Sequence, residues 1–439
     1  MSTRREFVQG LLAGGALATG LACGGGGGAK SSSSPSGPQD PPTSVPTAPI
    51  LISLKLDGGN DLLNTLVPIG GPNLAIYQQK RPRLAIPAAN TLDVGASLGL
   101  NRALGPLLNL AQAGRLALIP GIGMPGASLS HFTASDLWDM GAVSPDGSGW
   151  LGRYADLAFT PGGDPLRAIT TDQLTTAHIG RNRSFAVIGS RDGYRYPSTH
   201  SDWGSVDNPE PLRLGFTDGF QLTPAGGSGL NAALASGRLY DQAQTSFAQL
   251  LGPTARTPSV PYPGDANHPD QTMRDGWFPL AYQLKFIAEM IAKGVPCQAF
   301  AAGFGGFDTH GNQAQDHPQL LKELGASLAA FYTDLASINT PQGPAQERVL
   351  LMGWSEFGRR VEQNQGGTDH GTAGLAFCLG RGVKGGLYSS YPNLADLDDN
   401  GDMKPTLDFR SLYATVLDRW LKVDSRTILG GAYPPLGFL

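Results

Sequence analysis

Cysteine is scarce in this chain of 439 residues: there are three, none in a Cys-x-x-Cys pattern. That pattern's absence excludes a zinc-ribbon reading, and Cys297 and Cys378, each inside an apolar run, read as buried thiols rather than nucleophiles. An oxidising compartment would permit them to pair. Basic blocks are missing too. With 32 basic against 36 acidic side chains and a net charge of −4, the chain carries no electrostatic footprint for nucleic acid. No apolar run reaches the roughly 20 residues that a membrane-spanning helix needs. Beyond the N-terminal segment no polar linker divides the sequence, so residues 50–439 read as one large α/β unit with insertions.

What is present begins at the N-terminus. Arg4 and Arg5 precede a glycine-interrupted apolar stretch that ends at Ala22, the pattern of a twin-arginine export signal over residues 1–22. Cys23 follows Gly20-Leu21-Ala22 as in a lipoprotein signal, so a lipid anchor there is the one expected contact with a membrane. Residues 23–49 hold five consecutive glycines, four consecutive serines and several prolines, which cannot bury a core and predict a flexible tether. The expected location is the periplasm or cell envelope.

From Ile50 onward, apolar runs predict buried strands at Ile50–Leu56, Leu116–Pro120, Leu166–Thr170, Ser184–Ile188, Cys297–Phe304, Val349–Trp354 and Leu375–Leu379. Helical periodicity runs through Leu230–Leu251, Met273–Lys293, Pro318–Ile338 and Phe409–Leu421, and Ser130 stands at the cap of a further helix carrying Leu137, Trp138 and Met140. This alternation predicts a three-layer α/β/α sandwich with a mainly parallel central sheet. The segment from about 181 to 270, richer in glycine and proline, reads as an irregular insertion that caps the sheet edge.

The chemistry-bearing residues fall where those strands end. Asp57 follows the first strand, Asp308 and His310 follow another, Glu356 a third, and Asp369-His370 precedes a further apolar run. Ligands at the carboxyl ends of parallel strands sit where open α/β sheets place their active sites. Carboxylates mixed with imidazoles suit zinc first, manganese or iron also, and calcium poorly, so one or two divalent ions are expected on Asp57, Asp308, His310, Glu356, Asp369 and His370. Taken singly, each has a plainer reading: Asp57-Gly58-Gly59-Asn60 as a turn, His310 as a loop hydrogen bond, Glu356 as the cap of a helix through Arg359 and Arg360. Several such turns at strand ends are harder to account for without convergence. Ser130 and His131 are the candidate reaction centre, because a hydroxyl at a helix N-terminus lies in the positive end of the dipole. Arg153, Arg181, Arg183, Arg359 and Arg360 are unassigned candidates for an anion clamp. Asp396 to Asp402 begins like a calcium loop, but its twelfth position is Leu407 rather than glutamate, which favours an aspartate-rich turn.

These motifs, together with Gly149-Trp150-Leu151-Gly152-Arg153 and Asp408-Phe409-Arg410, give the chain a resemblance to domain-of-unknown-function family 1501, an exported bacterial group placed in the alkaline phosphatase-like superfamily. The resemblance implies that superfamily's fold, two divalent metals at the sheet edge, and hydrolysis of phosphate or sulfate esters of small molecules or glycans. By the same resemblance Asp57 matches the first metal aspartate, Ser130 the nucleophile, Asp308 and His310 a later ligand pair, and His370 the final histidine. Glu356-Phe357 stands where the superfamily has an aspartate-histidine pair, and Asp308 and His310 are closer than usual. A degenerate site in a non-catalytic envelope-associated binding protein is therefore the alternative. The sequence assigns no oligomeric state.

Overall fold

The computed structural model describes residues 49–124, 126–143, 147–160, 163–191, 228–269 and 279–439, with backbone alone for 228–236. The expected export signal, Cys23, and all of the tether before residue 49 lie outside the described residues.

In chain order the strands are β1 Ile50–Leu56, β2 Leu66–Pro68, β3 Thr91–Gly95, β4 Leu98–Asn101, β5 Leu116–Gly123, β6 Ala168–Thr170, β7 Ala186–Val187 and β8 Ala299–Phe304. After these come β9 Asn339–Thr340, β10 Gly343–Pro344, β11 Val349–Trp354, β12 Gly358–Gln363, β13 Thr368–Gly371, β14 Gly374–Gly380, β15 Gly386–Leu387 and β16 Leu407–Asp408. The main sheet runs β15-β5-β14-β11-β1-β8-β6-β7, with β16 also on β5. β1 lies parallel between β11 and β8, and β6 continues the parallel order. The mainly parallel sheet expected from the sequence is therefore present, with one reversal: β14 is antiparallel to both β11 and β5.

Strand alternation sorts the side chains into two cores. Ile50, Ile52, Leu54 and Leu56 pack on one face with the helices Pro279–Ala292 and Gln313–Leu335. Leu51, Ala299, Ala301, Leu350 and Met352 pack on the other with the helices His131–Met140, Trp150–Ala158 and Arg410–Thr415. Both faces are apolar because both are covered, which makes the α/β/α sandwich. Cys297 belongs to the first core and Cys378 to the second, so the sheet itself separates the two free thiols and the pairing considered above does not occur.

Several expectations need correction. No helix runs through Arg359 and Arg360: they lie in β12, which pairs antiparallel with β13 as a separate ribbon. The helix expected from Pro318 begins at Gln313 and contains that proline, its first turn anchored where the Gln313 side chain donates to Asp61 and accepts from Thr368. The helix from Arg410 widens into a π-helix over Val416–Leu421. The helix expected from Met273 is described from Pro279. Of the segment read as an insertion, residues 181–191 include the edge strand β7 and 228–269 the helix Ser228–Leu251. Among the described residues no helix is long and apolar enough to cross a membrane.

Candidate metal centre

Four segments reach one edge of the sheet. β1 ends in Asp57, β8 leads into Phe307-Asp308, β11 into Ser355-Glu356, and the loop after β5 leads to the helix that starts at His131. The β12–β13 ribbon adds Asp369 and His370 from the same side, since reversed β14 begins at this edge. Gly58 makes the close approach feasible: at φ +115° it is strained for any other residue, and a Cβ there would lie 2.3 Å from the Asp308 nitrogen.

Arg359, fully buried, ties these loops together. It donates to the carbonyls of Gly58, Gly59, Phe307 and Thr368, and its Nη2 lies 2.7 Å from Asp308 Oδ1. Burial pushes the Asp308 carboxyl up, but the hydrogen bonds from Arg359 and His370 outweigh it and hold it down at about 2. Asp308 is thus a carboxylate with partners behind it and an open face in front.

That face meets three imidazoles. His131 Nε2 lies 3.3 Å from Asp308 Oδ2, while His370 Nε2 and His310 Nε2 lie 3.0 and 3.2 Å from Oδ1. Single ligand atoms of His131, Asp308 and His370 all fall within 4.8 Å of one another. Each imidazole has its far nitrogen occupied. His370 Nδ1 is 2.7 Å from the Leu129 carbonyl, which can only accept. His131 Nδ1 is 2.9 Å from Glu356 Oε1, and His310 Nδ1 is 3.0 Å from Asp369 Oδ1. Glu356 is ionised, because the pull of burial is overcome by His131, Lys55 and backbone amides including Gly58. Asp369 is likewise held low, by Asn364 first and then by His310.

All three Nδ1 atoms therefore face acceptors, and three Nε2 atoms converge on Asp308. The Nε2 atoms of His310 and His370 stand only 2.9 Å apart, two acceptors face to face unless a proton or a cation lies between them. Two nitrogen ligands on one tetrahedral ion are about 3.3 Å apart, given bonds of about 2.0–2.1 Å. Ligating histidines characteristically donate their other nitrogen to a carboxylate or a carbonyl, as all three do here. The donor set of imidazole nitrogens with one carboxylate fits zinc, manganese or iron and does not suit calcium.

The remaining sequence candidates take other positions. Glu356 and Asp369 stand behind His131 and His310 as acceptors. Asp57 forms an ion pair with Lys55 at 2.6 Å, its carboxyl raised by burial against the opposing pull of that lysine. Ser130 caps the His131–Met140 helix by backbone geometry, yet its exposed hydroxyl makes no capping hydrogen bond. Of the arginines, Arg153 donates to the carbonyls of Ile428, Ser148 and Met140, Arg183 donates to Thr160, and Arg360 pairs with Asp402 at 3.3 Å. The Asp396–Asp402 loop is a tight turn in which Asp398 Oδ1 accepts from the amides of Asn400 and Asp402. It walls a cleft of about 470 Å³ that also includes Met124, Leu129 and Thr372.

A buried network that the sequence did not suggest stands beside the centre. Asp61 Oδ2 accepts from Arg81 and Gln313 at 2.5 Å each, Arg81 also donates to Asn64 Oδ1, and His317 Nε2 lies 3.0 Å from Asn60 Oδ1. The one sequence signal was the Asn60-Asp61 pair closing the first strand's turn.

The expected family likeness is found over part of the chain: a family described as "Protein of unknown function (DUF1501)" matches residues 274–431. No curated protein matches. Among solved structures the chain is similar to a 2-O GAG sulfatase (12% identity, TM-score 0.32, covering 89% of this chain and 76% of that one). It is similar also to the PsFucS1 sulfatase of Pseudoalteromonas sp. (11%, 0.31, 89% and 74%) and to a phosphonate monoester hydrolase of Agrobacterium radiobacter (11%, 0.29, 88% and 78%). At these scores the likeness identifies no activity for this chain.

Proposed function

We propose that this chain is an exported, metal-dependent hydrolase of phosphate or sulfate esters of the alkaline phosphatase-like kind. The observation that carries the metal half of this reading is the convergence of three Nε2 atoms on Asp308. His131, Asp308 and His370 would hold the ion, with His310 adjoining. An ion there supplies Lewis acidity toward an ester oxygen.

By accepting from Nδ1, Glu356, Asp369 and the Leu129 carbonyl would leave each Nε2 free to bind the ion. Ser130, one residue before His131, offers an exposed hydroxyl at the positive end of a helix, where negative charge on an attacking oxygen or an ester anion is stabilised. Attack by the Ser130 oxygen on phosphorus or sulfur breaks the bond to the alcohol, and water then releases the inorganic anion. The cleft beside Leu129 gives the alcohol portion room. Export by the twin-arginine route, with a lipid anchor at Cys23, completes the reading; loss of acyl mass in a Cys23→Ser variant is the expected check on the anchor.

Metal analysis of the purified protein, with aryl phosphate and aryl sulfate assays on wild type and Asp308→Ala, tests the reading. The expected result is bound zinc, manganese or iron and turnover of one ester class, both lost in the variant. Metal without turnover under varied metals and esters would leave the non-catalytic binding protein as the account. Neither metal nor turnover would end the proposal.

A further inference from the structure

Asp57, which the sequence resemblance implies as a metal aspartate, is engaged elsewhere. Lys55 Nζ lies 2.6 Å from Asp57 Oδ1 and donates to Ser135 Oγ at 2.9 Å, from a side chain only 15% exposed. The pocket around it is lined by Asp139, Asp172, His178 and Trp354, and the free space is about 20 Å³, room for roughly one water. Asp139 is 2% exposed and its Oδ1 has no hydrogen-bond partner. Burial alone would drive a lysine toward its neutral form. Here the charges of Asp57, Asp139 and Glu356 outweigh burial and keep Lys55 protonated. Asp57, Asp139 and Asp172 are not among the described side chains whose ligand atoms converge as a set that could hold an ion.

We infer that the Lys55 ammonium is the resident cation of a second carboxylate pocket, so that the histidine cluster takes a single metal ion and Asp57 stays outside its coordination. This rests on the metal-site reading above and settles the ion count it left open. The ammonium sits on one carboxylate oxygen of Asp57, and a divalent ion on the same carboxylate would stand a few ångströms from it, where like charges in a partly buried site repel strongly. Asp57 then acts as a positioning residue: it fixes Lys55 beside Ser135 on the helix that carries His131, while the adjoining Gly58 amide donates to Glu356 Oε1 at 2.9 Å.

The test is zinc and manganese titration calorimetry on metal-stripped full-length protein, with metal content measured by mass spectrometry. Wild type is expected to bind one equivalent. Asp57→Asn should bind one equivalent with affinity within about threefold of wild type, whereas Asp308→Asn should lose binding. Lys55→Ala, which empties the ammonium from among the carboxylates, should admit a second, weaker equivalent, and Lys55→Arg should not. Two equivalents in wild type would overturn the inference, as would an Asp57→Asn affinity lower by about 100-fold, the signature of a lost ligand. A single equivalent in folded Lys55→Ala would equally overturn it. Zero equivalents in wild type is a different failure, that of the metal site itself. Should Lys55→Ala not fold, Asp57→Asn decides alone, because its side chain is nearly isosteric and 35% exposed.

Discussion

Two polar clusters flank the same loop after β1, and they are built on opposite plans. Around Asp61 every strong group faces a complementary one: a carboxylate between Arg81 and Gln313, a guanidinium on Val361 and Arg360 carbonyls, and an imidazole on an amide oxygen, all buried. Around Asp308, which Arg359 anchors from behind, three imidazole Nε2 atoms crowd one carboxylate and the side chains stand 18 to 47% exposed. The first cluster is complete as a protein. The second leaves its convergent Nε2 atoms on an open side, and the difference teaches that converging ligand atoms, more than acidity, mark where an ion would belong.

The comparison breaks most readily at Arg81. Arg81→Ala would strand the buried Asp61 carboxylate, and urea unfolding should show a loss of about 3–5 kcal/mol; a loss below about 1 kcal/mol would mean the network is not structural. Next comes pH. Burial holds His317 down at about 4, below its unfolded value of about 6.5, so its contribution is full above that value and is lost as pH falls toward 4. Linkage puts this at about 3 kcal/mol, and His317→Gln should flatten the profile of stability against pH in that window. His131 in the open cluster has the opposite sign: Glu356 raises its pKa, so its contribution is full below about 6.5 and fades as pH rises through its folded value. Histidine titrations followed by NMR should resolve the two directions.

Zinc sharpens the contrast from the other side. At about 100 times its Kd, bound ion should add about 2.7 kcal/mol of stability. A thermal melt should show that gain in wild type and lose it in His370→Ala. The smallest effect is expected behind the imidazoles, where Glu356→Gln should weaken zinc affinity about 10- to 100-fold by calorimetry without abolishing it. An unchanged affinity would show that Glu356 does not orient His131.

Much of the scaffold was legible in the sequence because buried strands in a covered sheet are continuous apolar runs: β1, β8 and β11 need no partner to be recognised. Direction was not legible. Leu375–Leu379 is equally apolar read either way, and only tertiary pairing reverses β14. The ribbon of β12 and β13 was missed because Gly358-Arg359-Arg360-Val361 carries charges that suit a helix surface, whereas Arg359 is in fact buried on five acceptors from neighbouring loops. Residue identity told which groups would gather at the edge, namely Asp308, His131, His310 and His370. It could not tell a carboxylate that meets the Nε2 atoms from one that accepts at Nδ1, so Glu356 and Asp369 read the same as Asp308. Arg81 and His317 gave no signal, since a lone arginine after Gln-Gln-Lys and a histidine within a helix are ordinary.

The reversal of β14 has a further effect. Because β11 leaves the sheet at the same edge where β14 enters it, residues 355–373 go out and come back without crossing to the far side, and they carry Glu356, Arg359, Asp369 and His370 together. That excursion is a cassette: its two ends are fixed by adjacent paired strands, and its length and sequence can change without disturbing any crossover connection. Variation among relatives of this chain, or deliberate grafting in the laboratory, can thus exchange half of the centre's polar groups in one stroke while the strand order remains untouched.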